Sequence, residues 1–148
     1  MKLGFRIKHY FYNAFREIFV HHHGSLTFRA KLFSLIIAAN DHTKIDNFIL
    51  VKKLGLQIYK EDEERANLLL LSTKELVQKI KEKNDLDIDS LILRIQNELK
   101  VVPRYAHKID IDALKLFLEH SDNEDTLLYQ KNIIEFLEKL KNETLTKK

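Results

Sequence analysis

Two clusters of oxygen-bearing side chains stand out as able to do chemistry. One is Asn40-Asp41-His42-Thr43-Lys44, followed closely by Asp46. The other is Ser121-Asp122-Asn123-Glu124-Asp125. Asp41, Asp46, Asp122, Glu124 and Asp125 carry the hard oxygen ligands that a divalent cation such as Ca²⁺ or Mg²⁺ prefers. The same residue types cap helices and close turns. Neither cluster has the spacing of an EF-hand loop, so capping is the favoured role and a bound cation the alternative. His21-His22-His23 offers imidazoles, but consecutive helical residues point about 100° apart and cannot all reach one ion. No His pair has the i, i+4 spacing of a zinc-protease helix. His107 and His120 are isolated and are assigned structural roles.

Other catalytic chemistry has little footing. There is no nucleophile elbow and no phosphate-cradling glycine loop. The absence of Cys removes disulfides and thiolate nucleophiles, and it fits a cytoplasmic protein. A non-enzymatic role is expected, with a small enzyme built on the Asp-rich loops as the competing class.

The elements that would position these clusters are helices. The chain has 148 residues, enough for one domain with a proper core. Hydrophobic residues at 45% and charged residues at 32% separate it from disordered chains. Only 3 Gly and 1 Pro interrupt it, and apolar residues recur at intervals of three and four. The expected fold is an all-α, single-domain bundle of six or seven helices. Its central helix spans about 26–39. There Leu32, Phe33, Leu35, Ile36, Ile37, Ala38 and Ala39 cover every side, as in a buried helix. The run is far shorter than the ~18–20 apolar residues of a membrane span. Gly24 is expected beyond the end of a preceding helix, with Ser25 or Thr27 capping the central one.

Further along, Asp46 is the expected cap of a helix bearing Phe48, Ile49, Val51 and Leu54, with Gly55 ending it or tolerated inside it. A helix opened by Glu61–Glu64 carries Ala66, Leu69, Leu70, Thr73, Val77 and Ile80, and the capping-box spacing of Ser72 and Glu75 leaves a break near Ser72 open as an alternative. Asp87 caps a helix with Leu91, Ile95 and Leu99 that Pro103 ends. Asp110 or Asp112 caps the next, which carries Leu114, Phe117 and Leu118. The last helix buries Ile133, Phe136, Leu137 and Leu140, and 142–148 is expected to fray. The domain reading is an N-terminal helix at 1–24, a bundle at 25–141 and a tail at 142–148.

The N-terminal part is chemically distinct. Before Ser34, Lys2, Arg6, Lys8, Arg16, Arg29 and Lys31 face only Glu17, a net charge of +5. Phe and Tyr concentrate there too. Leu3, Ile7, Phe11, Ala14 and Ile18 form one helical stripe, and Phe5, Tyr12 and Phe19 a second. A docking helix is expected, with Phe5, Lys8, Tyr12, Arg16 and Phe19 meeting a protein partner or an anionic membrane surface. Nucleic acid is disfavoured, because the rest of the chain is acidic and carries no recognised binding motif.

The two clusters also sit in parallel surroundings. LFSLIIAANDHTKIDNFILVKKLGL and LKLFLEHSDNEDTLLYQKNIIEFLEKL each read as apolar helix, Asp/Asn-rich loop and amphipathic helix. This pairing resembles the TerB-like domain of tellurite-resistance proteins, found also at the front of some membrane-anchored DnaJ-type co-chaperones. The resemblance spans roughly 28–140. Asp122-Asn123-Glu124-Asp125 matches the family's second Asp-Gly loop with Asn123 in the glycine place, which implies a positive φ there. In the first loop Asp41 stands at the Asp and His42 replaces the Gly. The helix starts that follow lack the family's run of Glu. What the resemblance implies is a helical bundle without known catalysis, acting as a stress-linked interaction module near the membrane or with chaperones.

Overall fold

The structure, a computed structural model, describes residues 24–84 and 86–147. It is an all-α bundle. Among the described residues there are six α-helices, two 3-10 helices and no strand.

Helix α1, Gly24–Ala38, is the centre. Leu26, Phe28, Ala30 and every residue from Leu32 to Ala38 are buried, including Leu35 and Ile36. Its one polar residue in that stretch is satisfied locally. The Ser34 hydroxyl reaches Ala30 O at 2.6 Å and Thr73 O at 3.2 Å, so burying it leaves no orphan donor. Gly24 belongs to α1 rather than to a preceding helix end, and Thr27 Oγ1 donates back to Gly24 O at 2.8 Å. A Cβ on Gly24 would run into the Tyr105 hydroxyl, so a larger residue would force that ring to move. Among the described residues, no helix is long and apolar enough to cross a membrane.

Helix α2, Ile45–Ile58, differs from expectation at its start. The cap position is Lys44, with no side-chain cap bond, and Asp46 lies inside the first turn. The buried stripe is Asn47, Val51, Leu54 and Gly55, while Ile49 is 58% exposed. Gly55 sits mid-helix because α2 meets α3 there: a Cβ would lie 3.1 Å from Ala66 Cα. Lys60 and Glu61 both take positive φ in the tight turn that follows, and Glu61 N–H closes it on Leu56 O at 2.7 Å.

Helix α3, Glu63–Lys81, is continuous through Ser72 and is capped by Asp62, whose carboxylate accepts from Arg65 N–H. It packs against both α1 and α2. Helix α4, Ile88–Val101, buries Leu91, Ile95 and Leu99 and is capped by Asp87. A 3-10 helix, Pro103–Lys108, follows the break at Pro103. Asp110 caps the short α5, Ile111–Lys115, which passes directly into a second 3-10 helix, Leu116–His120. Phe117 projects from that segment into the core, its ring 5.4 Å from Phe33.

Helix α6, Glu124–Thr146, closes the bundle with Gln130, Ile133, Ile134 and Leu137 buried. Phe136 and Leu140 are half-buried. The expected fray from 142 is absent: the helix continues to Thr146, and Leu145 packs on the core.

Candidate functional site

The C-terminal end of α1 poses a physical problem that the two polar clusters solve. The last carbonyls of a helix have no partner within it, and here they emerge in the middle of a packed bundle. Ile37 O accepts from Asn40 N–H at 3.1 Å and from Asn40 Nδ2 at 3.2 Å. Ile36 O accepts from Gln130 Nε2 at 2.8 Å, across from α6. Asn40 O accepts from the Lys81 ammonium at the end of α3. Asn40 and Gln130 are both fully buried.

The second cluster joins the first. Asp122 N–H donates to Asn40 Oδ1 at 3.1 Å, and Asp122 Oδ2 accepts from His42 N–H at 2.8 Å. The Ser121 hydroxyl donates to Gln130 Oε1. The two loops, about 80 residues apart in sequence, thus form one hydrogen-bonded clasp over the end of the central helix.

The candidate ligand residues are distributed unevenly over this clasp. Asp122 is within it. Asp41 is exposed on the first loop. Asp46 is exposed in the first turn of α2, and Glu124 and Asp125 are exposed in the first turn of α6. Acidic groups in a first turn face the positive end of the helix dipole. Among the described residues, no group of three or more His, Asp or Glu side chains is placed to hold a metal ion. Asn123 caps α6, its Oδ1 accepting from Thr126 N–H at 2.8 Å. Its φ of −160° is extended backbone, so the expected positive φ at the glycine place is not adopted.

Asp46 also borders a groove of about 370 Å³ between α2 and the second 3-10 helix. Ile49 and Leu116 open onto it, the latter 43% exposed, and His120 and Glu119 lie on its far side. The remaining candidates, Phe5, Lys8, Tyr12, Arg16 and Phe19, and the His21–His23 run, lie outside the described residues. Asn40 was read only as a member of the first cluster, and Lys81 and Gln130 were not singled out from the sequence. Gln130 carried a usable signal: it occupies the core stripe of its helix with Ile133, Ile134 and Leu137. A polar residue at a core position needs a buried partner.

Comparison with family models, with curated proteins and with solved structures returns no match.

Proposed function

We propose that this chain is a non-enzymatic helical interaction module, TerB-like in its paired helix–loop–helix elements, that engages a protein partner through its basic-aromatic N-terminal segment. The observation that carries the reading is the clasp. Asp122, the one candidate ligand whose carboxylate takes part in it, is engaged in holding the two loops together. This engagement of Asp122 supports a structural role for the loops and favours recognition at the surface. The surface supports this with Ile45 at 74% exposure beside Ile49 on α2. In sequence, the N-terminal segment leads directly into α1, the central buried helix. A stress- or chaperone-linked setting follows from the TerB-like pairing.

The test compares the full chain with the triple variant Phe5→Ser, Tyr12→Ser, Phe19→Ser in affinity capture from cell extract and in sedimentation with anionic vesicles. The expected result is a defined protein partner retained by the full chain and lost by the variant, with the melting temperature kept. Loss of vesicle binding alone would assign the segment to a membrane surface instead. A variant that unfolds like a core mutant would make the segment an ordinary bundle helix.

A further inference from the structure

A second feature lies apart from the clasp and is independent of the interaction reading. A cavity of about 160 Å³ is bounded by α1, the end of α2, the first 3-10 helix, α5 and α6. Its apolar lining includes Leu32, Phe33 and Leu114, all buried. The charged lining is one-sided. Arg29 from α1, Lys108 from the 3-10 helix and Lys141 from α6 are each half-buried, and His107 stands at the exposed rim. Among the described residues, Asp110 is the one acidic residue of the lining, and its carboxylate accepts from Ala113 N–H as the cap of α5. Three fixed cations against one carboxylate leave a surplus of two positive charges.

Among the described residues, the hydrogen-bond partners of Arg29 and Lys141 are neutral. The Arg29 guanidinium donates to the Tyr59 hydroxyl at 3.3 Å and lies 5.6 Å from the centre of its ring. Burial pushes the Tyr59 hydroxyl up, outweighing the opposing pull of Arg29, so the phenol stays uncharged. The Lys141 ammonium donates to Ile109 O at 2.7 Å, a carbonyl. Bringing like charges together where water is partly excluded costs free energy. An anion entering the cavity would offset that cost. Arginine and lysine are the side chains that bind carboxylate and phosphate groups through charge-assisted hydrogen bonds. The volume limits the guest: a cavity of about 150 Å³ with apolar walls holds benzene.

We propose that this cavity binds a small organic anion, a carboxylate or phosphate group on a stem no larger than one ring, with Arg29, Lys108 and Lys141 holding the anionic group and Leu32, Phe33 and Leu114 the stem. The site is built from five separate helical segments and forms only in the folded bundle, so a bound anion stabilises the fold by linkage.

Calorimetric titration of the full chain with benzoate and with inorganic phosphate, at low ionic strength and with sodium chloride as the control anion, tests this. Saturable one-to-one binding of either probe, with a matching rise in melting temperature, is expected. Benzoate alone would identify a carboxylate ligand, and phosphate alone a phosphorylated one. Lys108→Gln and Arg29→Gln should each weaken binding by about tenfold or more, while Lys139→Gln on the exposed side of α6 should not. Lys108 makes no described contact with Tyr59, so its variant remains informative if Arg29→Gln lowers stability. Chloride binding as well as the probes, no saturable heat from either probe, or equal loss in the Lys139→Gln control would overturn the proposal.

Discussion

Gln130 concentrates the physics of this molecule in one side chain. Its amide nitrogen donates to Ile36 O and its oxygen accepts from the half-buried Ser121, while Gln130 itself has no exposure. Replacing it with Met keeps the bulk and removes both bonds. Ile36 O keeps Ala39 N–H at 3.3 Å but loses its side-chain partner, which costs about 0.5–1.5 kcal/mol, readable by urea denaturation. Asp87 works at the surface instead. The backbone N–H of Ser90, and then its hydroxyl, hold that carboxyl below the usual carboxylate range. A depressed folded-state value means that the contribution is present above the unfolded value and is lost as pH falls through the folded one. Stability measured across the acid range should therefore fall more steeply below about pH 4 in the wild type than in Asp87→Asn. An equal slope would remove Asp87 from the account.

At the scale of elements, the helices themselves were legible and their ends less so. The all-round apolar stretch at 32–39 marked α1 correctly, because only a helix enclosed on every side has that composition. Asp87, Asp110 and Pro103 marked the boundaries they occupy. The start of α2 misled because Asp46 has the chemistry of a cap, yet the chain enters the helix two residues earlier, with Asn47 N–H bonded to Lys44 O at 3.1 Å. The continuation of α6 to Thr146 depends on Leu145 finding the core, which spacing alone did not disclose. Gly55 was ambiguous for a similar reason. Its need arises from the approach of Ala66 on α3, a tertiary contact. Gly55→Ala gains about 1 kcal/mol of helix propensity. It also presses a Cβ against the backbone of α3, where overpacking costs about 1–3 kcal/mol. Net destabilisation is expected in thermal melts. A variant more stable than wild type would show that α2 and α3 part easily.

Across the whole molecule, the fold was readable because burial is written into periodicity. Leu35, Ile36 and Leu137 are all fully buried as expected. The clasp was only half readable. The loops announced polar chemistry, but their contact with each other joins Asn40 and His42 to Asp122, and no local pattern encodes a pairing so remote in sequence. The cation cavity was hidden for the same reason, since Arg29, Lys108 and Lys141 come from three distant segments.

The central claim is that the Asp122 carboxylate holds the two loops together, and substituting it tests that most directly. Unfolding of the wild type, Asp122→Asn and Asp122→Ala should be measured with and without Ca²⁺, Mg²⁺ and Mn²⁺. A clasp needs only an acceptor for His42 N–H, so Asn should retain most of the stability. Ala should lose about 1 kcal/mol, and the cations should change neither. A melting temperature raised by a divalent cation in the wild type, and by none in either variant, would contradict the account and make the loops an ion site.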